Sequence, residues 1–198
     1  MCCCAVCSVC CCVVCSVFVV DVRVVVVRVV VVERVVETDS LGHTRRFNID
    51  WEPTGEATDA DGIAYAAFLD TVGSILHESG LTLQVDIGLW SPVWNMTALG
   101  ATQHVDVIMT MATYAGEYSV FQSRLDGAVA AIGPRRLGVG LMTTDPTTGE
   151  TLSKARITAR VDAIQAAGVS MIGVWVLPLD AAWWPILSSF RTAPHTHM

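Results

Sequence analysis

Beyond Glu37 this 198-residue chain repeats one pattern: a short apolar stretch, a polar loop, a longer amphipathic stretch and a closing glycine. The apolar stretches have the length of strands, and the amphipathic stretches have the length of helices, which glycine commonly ends. Strands that alternate with such helices pair in parallel through right-handed crossovers. The pattern therefore restricts residues 37–198 to a (β/α) barrel or an open, doubly wound sheet.

Five strands and the helices between them are predicted from this pattern. The strands are expected at Phe47–Glu52, Leu81–Trp90, Val105–Met111, Arg136–Met142 and Met171–Leu177. The first helix is expected to begin at Asp59 or Asp61 and to end before Gly80. The apolar stripe that it should bury consists of Ile63, Ala67, Phe68, Val72, Ile75 and Leu76. The later helices are expected before Gly133, at Leu152–Ala167 and at Ala181–Phe190.

The glycine pattern decides between the two architectures. An open sheet that binds nucleotides usually carries a G-x-G-x-x-G loop at the start of a helix. Here Gly138-Val139-Gly140 lies inside a strand pattern, and no such loop opens a helix. A complete eight-unit barrel needs about 250 residues, more than this chain has. The sequence therefore predicts an α/β fold, a partial (β/α)8 TIM barrel of about five units, with the other units missing or replaced.

Residues 1–36 differ in composition from the rest of the chain. All eight cysteines lie between Cys2 and Cys15, and valine dominates from Asp21 to Glu37. The cysteine runs match no usual zinc spacing, and the valine runs favour strand over helix. An alternating guanine–thymine repeat in DNA reads as valine and cysteine codons. We interpret the segment as low-complexity sequence from an expanded repeat or a gene-model artefact, and residues 37–198 as the folded domain.

The distribution of charge restricts the partners. Lys and Arg number 12 against 19 Asp and Glu, which gives a formal net charge of -7 without a basic block, so no nucleic-acid partner is expected. Residues 2–20 are uncharged, but no basic residue precedes them, so a membrane partner is not expected either. The five histidines show no metal-ligand spacing, and no metal or cofactor is predicted. The sequon Asn95-Met96-Thr97 favours an extracellular or secretory compartment.

Polar residues alternate with apolar residues along the first predicted strand. Asn48, Asp50 and Glu52 point to one face, opposite the apolar residues between them. The motif precedes Pro53-Thr54-Gly55, so it lies at the carboxyl end of a strand, where (β/α) barrels build their active sites. When two carboxylates lie about 7 Å apart in a poorly solvated pocket, the charge of one raises the pKa of the other. A general acid needs a raised pKa, because it has to hold a proton that it can transfer.

The segment Phe47-Asn48-Ile49-Asp50-Trp51-Glu52 resembles the fourth-strand signature D-x-x-D-x-D-x-E of the chitinase-type glycoside hydrolases, family eighteen, which fold as (β/α)8 barrels. The likeness extends loosely over residues 47–190 and depends mainly on the I-D-W-E core. Trp175 resembles the family's eighth-strand tryptophan, which forms the floor of the sugar site.

The resemblance implies a role for each matching position. Glu52 would protonate the glycosidic oxygen, and Asp50 would orient the substrate's 2-acetamido group, whose carbonyl attacks the anomeric carbon. The substrate is then its own nucleophile, an exception to the scheme with two catalytic carboxylates. Asn48 stands where the family has its middle aspartate, and Arg45 stands where it has the first. Asn48 could hydrogen-bond Asp50 but cannot share its negative charge.

Further residues are predicted to contact the substrate. By strand alternation Asp86 and Trp90 share one face of the second strand and could reach the same pocket, although Asp86 could equally be a buried, satisfied carboxylate. Where the family's sixth strand reads M-x-Y-D, this chain reads Met109-Thr110-Met111-Ala112. Met109 keeps its place in that motif. Tyr114 comes later and could supply the motif's hydroxyl from the loop, or that hydroxyl is absent.

The predicted function is hydrolysis of β-linked N-acetylglucosamine glycans by substrate-assisted acid catalysis, with carbohydrate as the partner. Asn48 and the altered sixth strand support an alternative, a catalytically inactive barrel that binds carbohydrate. A third interpretation is a fragment without function, since a barrel that lacks its first strands cannot close.

Overall fold

The computed structural model describes residues 46–114, 116–145, 148–175 and 179–192. Residues 1–36, which the sequence separates from the folded domain, lie outside these ranges. Arg45 and the predicted end of the fifth strand at Leu177 also lie outside them. What the sequence predicts for those residues stays a prediction.

Parallel strands form one sheet. They are β1 (Arg46–Asp50), β2 (Thr82–Ile87), β3 (Val107–Thr110), β4 (Leu137–Met142) and β5 (Met171–Trp175), in the order of the chain. A doubly wound sheet reverses its strand order at a switch point, whereas the order of these five strands has no reversal. Right-handed crossovers then place the connecting helices on one side of the sheet, as in a (β/α) barrel.

Helices alternate with the strands. They are α1 (Asp59–Glu78), α2 (Met96–Gly100), α3 (Tyr118–Ile132), α4 (Lys154–Ala166) and α5 (Trp183–Thr192). A capping box begins α1, because the Thr58 side chain accepts from the Asp61 backbone while the Asp61 carboxylate accepts from the Thr58 backbone. Gly133 ends α3 at φ 85°, in the region that favours glycine. The short α2 was not predicted; Asn95 of the sequon caps it.

The apolar core lies between the sheet and the helices. Ile49, Val85 and Val139 contribute from the strands, and helices such as α3 and α4 contribute Leu125 and Val161. The buried residues of α3, Phe121, Leu125, Ala128 and Ile132, follow a helical spacing toward the sheet. Because each strand alternates its faces, the residues next to these core positions point to the other side of the sheet.

The sheet curls so strongly that its two ends approach each other. Arg46 of β1 donates from Nη1 to Sδ of Met171 in β5, at 3.8 Å, although three strands separate β1 from β5. The helices cover the convex side, and polar residues of β1 and β2 lie on the concave side. The structure is therefore a partial (β/α) barrel, which confirms the predicted fold class.

The buried face of α1 differs from the predicted stripe. Ile63 is 59% exposed and Ile75 is 51% exposed. The buried residues of the helix are instead Gly62, Tyr65, Ala66, Leu69 and Gly73. Phe68, Val72 and Leu76 of the predicted stripe do pack against the core, so the prediction was wrong for Ile63, Ala67 and Ile75. It followed large apolar side chains, whereas the neighbouring loops approach the helix backbone so closely that small residues must face them. A Cβ on Gly73, for example, would lie 2.1 Å from the His104 carbonyl oxygen.

Candidate active site

Two aspartates face each other at the carboxyl ends of β1 and β2. Asp50 and Asp86 are partners in the parallel register of these strands. Neighbouring strands lie about 4.8 Å apart, so both carboxylates occupy one small region of the concave face. The sequence predicted both residues as part of the site, Asp50 from the strand motif and Asp86 from alternation along the next strand.

Two side-chain amides hold the Asp86 carboxylate. Asn48 donates from Nδ2 to Oδ2 of Asp86 at 3.0 Å, and Gln84 donates from Nε2 to Oδ1 at 3.0 Å. Arg46 in turn donates to Oε1 of Gln84 at 3.4 Å. Asn48, for which a hydrogen bond to Asp50 was possible by sequence, donates instead to Asp86 across the strand pair. Neither its identity nor its spacing indicated this, because the partner lies on another strand.

Burial perturbs both carboxyl groups. It raises the pKa of Asp86, while the hydrogen bonds from Asn48 and Gln84 oppose this rise and the charge of Asp50 adds to it. Burial also raises the pKa of Asp50. Oδ1 of Asp50 is buried and accepts no hydrogen bond from the described residues. A desolvated acceptor of this kind is costly unless a donor reaches it.

Glu52 lies beyond the end of the strand. The sequence predicted a strand through Glu52, whereas β1 ends at Asp50 and Glu52 is exposed. Glu52 is still close enough to Tyr114 for its charge to act on that side chain.

Tyr114 reaches the concave face from the loop after β3, where the sequence placed it. Its ring lies against Gly140 of β4, and a Cβ on that glycine would be 2.5 Å from Cε1 of Tyr114. Burial raises the pKa of Tyr114 above its ordinary value of 10.0, and the charges of Asp86, Asp50 and Glu52 raise it further. The phenol thus shares one environment with all three carboxylates.

Met109 covers the glycines of the concave face. A Cβ on Gly138 would lie 2.6 Å from Cε of Met109, and a Cβ on Gly173 would lie 3.1 Å from its Sδ. Met109 is buried, and it forms the floor of the site beside Tyr114. A larger residue at Gly138 or Gly173 would require the thioether of Met109 to move.

Trp175 ends β5 on the same face. Met171 contacts Arg46 across the concave side, so Gly173 and Trp175 share that orientation by alternation. The Trp175 side chain is 53% exposed. Its ring therefore offers an apolar surface at the rim of the site.

Trp90 lies in a neighbouring cleft. Because β2 ends at Ile87, the strand alternation that placed Trp90 beside Asp86 does not extend to it. The ring covers Gly88, is 57% exposed, and meets Trp94 edge to face at 4.5 Å between centroids. The cleft, of about 410 Å³, is lined by Asp59, Leu89, Trp90, Ser91, Pro92, Trp94 and Asn95. The lining includes neither Asp50 nor Asp86, so the cleft does not bring Trp90 beside the carboxylates as predicted.

Tyr65 is a residue that the sequence did not indicate. It is buried on α1 and meets Trp51 at 4.9 Å between ring centroids. Burial raises the pKa of Tyr65, and the charges of Asp50 and Asp86 add to the rise. The predicted apolar stripe of α1 did not include Tyr65. A stripe drawn through the residues that are buried in the structure would have included it.

The described stretches of the chain contain neither a membrane-spanning helix nor a cluster of metal ligands. Their helices include none with the length and apolar character needed to cross a bilayer. Their His, Cys, Asp and Glu side chains form no group of three or more that could hold a metal ion. The concave face itself carries carboxylates, amides, a phenol and an indole.

No protein-family model and no curated protein sequence matches the chain. Solved structures are similar to it. The spore cortex-lytic enzyme SleL of Bacillus megaterium QM B1551 has a TM-score of 0.61 at 16% identity, over 77% of this chain and 50% of that one. SleL of Bacillus cereus also gives 0.61 at 16% identity, over 75% and 50%. A class V chitinase from Pseudomonas fluorescens Pf-5 gives 0.57 at 18% identity, over 72% and 66%.

These likenesses concern the fold. The chain spans about half the length of the two cortex-lytic enzymes. With sequence identities of 16% to 18%, the agreement shows that the described residues adopt part of the architecture of these proteins.

Proposed function

We propose that the chain is a glycoside hydrolase that cleaves β-linked N-acetylglucosamine glycans by substrate-assisted acid catalysis. The proposal rests on one observation above all: Asp50, Asp86 and Tyr114 meet on the concave face of a partial barrel, with Glu52 within electrostatic range. The similar folds of a class V chitinase and of two cortex-lytic enzymes support it.

The Asp50 carboxylate favours a substrate with an N-acetyl group. Oδ1 is enclosed by protein, but the side chain as a whole is only half-buried, so the carboxylate can accept a hydrogen bond from the N–H of a 2-acetamido group. That hydrogen bond would turn the acetamido carbonyl oxygen toward the anomeric carbon. The Asp50 carboxylate would also stabilise the positive charge that this group acquires during attack.

Glu52 is the acid in this mechanism. Its proton passes to the glycosidic oxygen while the carbonyl oxygen of the acetamido group bonds to the anomeric carbon and the glycosidic bond breaks. The product is an oxazolinium ion with its charge beside Asp50. Water then attacks the anomeric carbon, gives its proton to the Glu52 carboxylate, and restores both the acetamido group and the acid.

Asp86 supplies the negative charge that Asn48 lacks. The family's middle aspartate is replaced by Asn48, and Asn48 donates to Asp86 on the neighbouring strand. Asp86 lies in register with Asp50, so a carboxylate remains beside the acetamide-positioning residue. The Tyr114 hydroxyl would donate a hydrogen bond to the substrate, with the ring held against Gly140. Trp175 would stack against a sugar ring.

A catalytically inactive, carbohydrate-binding barrel is the second candidate. Two observations favour it: Asn48 replaces a carboxylate, and Ala112 occupies the place of the aspartate in the sixth-strand motif. Such a protein would keep the aromatic surfaces of Trp90 and Trp175 without a complete proton-transfer site.

Glu52→Gln tests the proposal. The amide keeps the shape of the side chain but has no proton to give, so hydrolysis of N-acetylglucosamine oligosaccharides should fall by about 10²- to 10⁴-fold. Binding of the same oligosaccharides, measured by calorimetry, should survive. Glu56→Gln is the matched control, since Glu56 is exposed in the same loop, and it should retain full activity.

Asp50→Asn tests whether the 2-acetamido group takes part in the reaction, separately from general acid catalysis by Glu52. Its turnover should fall selectively for substrates with a 2-acetamido group, compared with analogues that carry a 2-hydroxyl.

If the unaltered protein binds the oligosaccharides but cleaves none, the carbohydrate-binding alternative holds. If Glu52→Gln cleaves at the unaltered rate, the assignment of the acid is wrong.

A further inference from the structure

An arginine of α4 is buried beside the loop that carries Tyr114. Arg160 is 1% exposed, donates from Nη2 to the carbonyl oxygen of Gly116 at 2.6 Å, and donates from Nη1 to that of Thr113 at 3.4 Å. These two carbonyls belong to residues on either side of Tyr114. The guanidinium therefore binds the backbone on both sides of Tyr114.

Other contacts hold the same backbone. Arg124 of α3 donates from Nη1 to the carbonyl oxygen of Ala112 at 2.6 Å. The Thr113 hydroxyl is 2.7 Å from the carbonyl oxygen of Gly140, the residue beneath the Tyr114 ring. Side chains from two helices and a carbonyl of β4 thus converge on the residues next to Tyr114.

Burying a guanidinium is expensive, and the protein offsets that cost only partly. Burial lowers the pKa of Arg160. The Phe121 ring lies under the guanidinium, 5.0 Å from its Cζ to the ring centroid, and contributes a cation–π interaction. A short loop between a strand and a helix does not in itself need such an anchor, since most loops run over the surface.

We propose that Arg160 is a positioning residue that holds Tyr114 over Gly140, with its hydroxyl directed to the carbohydrate site. This inference rests on the proposed function, because the positioned hydroxyl acts on the substrate's acetamido group. Arg124 assists from α3. A reacting hydroxyl displaced by about 1 Å loses much of its effect, so the anchor would act on turnover more than on binding.

Arg160→Met tests positioning without any substrate. The chain has three tyrosines, and the Tyr114 titration is isolated by subtracting the absorbance of Tyr114→Phe at about 295 nm. In the unaltered protein Tyr114 should ionise above its ordinary pKa of 10.0. In Arg160→Met the loop loosens and admits water, so the pKa of Tyr114 should move back toward that value. An unchanged Tyr114 titration in a folded variant would overturn the inference.

Arg156→Met is the matched control on the same helix. Arg156 pairs with Asp145 at 3.1 Å and does not touch the carbonyls next to Tyr114. The control also removes a cation from α4 and destabilises the protein, yet it should leave the Tyr114 titration in place. If it shifts the titration as far as Arg160→Met does, general loosening explains the effect and the inference fails.

Activity gives a second, independent measurement. Arg160→Met should lower kcat by about 10- to 100-fold with little change in KM, and should add almost nothing in a Tyr114→Phe background. Full additivity of the two changes would contradict the inference.

If the unaltered protein cleaves nothing, the proposed function fails, while the titration still decides whether Arg160 positions Tyr114. If Arg160→Met does not fold, Arg160→Lys and Arg124→Met take its place in both measurements.

Discussion

At the scale of single residues, the paired aspartates couple the site to pH. Because burial raises the pKa of Asp86 above its ordinary value of 3.8, the folded protein binds this proton more tightly than the unfolded chain. The free energy of unfolding should therefore fall as pH rises from 3.8 through the folded pKa. Asp86→Asn removes one titrating group, so its melting temperature should fall less than that of the unaltered protein over this range, measured by circular dichroism.

Asp162→Asn serves as the control for this pH series, since Asp162 is exposed on α4. Its melting temperatures should follow those of the unaltered protein at every pH. The linkage argument for Asp86 would not survive if Asp86→Asn also ran parallel to the unaltered protein.

At the scale of elements, the close approach of α1 to the loop before β3 decides which face of the helix is buried. Gly73→Ala would place a Cβ 2.1 Å from the His104 carbonyl oxygen, a backbone atom that cannot move aside freely. We expect a loss of about 1–3 kcal/mol in the free energy of unfolding, measured by denaturant titration. The cause is overpacking, because the helix has to move away from the loop.

Gly127→Ala tests the same change where space is open. Gly127 is exposed on α3, and a Cβ there would meet nothing within 4 Å. Alanine should therefore stabilise the protein by about 0.5–1 kcal/mol through its helix propensity. Opposite signs for the two substitutions are expected, and equal losses would refute the packing account.

At the scale of the whole molecule, stability should decrease from the middle of the sheet toward β5. Every residue of β3 is buried, and β3 pairs on both sides, whereas β5 is only partly buried and pairs with β4 alone among the described strands. Amide hydrogen exchange should therefore be slowest in β3, because central strands open only with the core. Peptides from β5 that exchange as slowly as those from β3 would contradict this gradient.

Local patterns in the sequence determined the five strands and four of the five helices, in their order along the chain. The alternation of Asn48, Asp50 and the apolar residues between them predicts a strand with a polar face, and the glycines at 133 and 168 predict helix ends. These signals have periods of a few residues, so they can be read without knowing what lies nearby in space. They were sufficient for a partial barrel and for the polar residues of β1 and β2 on its concave face.

Only the tertiary structure decided which residues meet. The hydrogen bond from Asn48 to Asp86, the buried face of α1 and the anchoring of Thr113 by Arg160 each join residues far apart in the chain. Such pairs depend on strand register, sheet curl and the distance between backbones, and none of these leaves a periodic signal in the sequence. The candidate acid Glu52 could therefore be named from its motif, while the neighbours that would act with it could not.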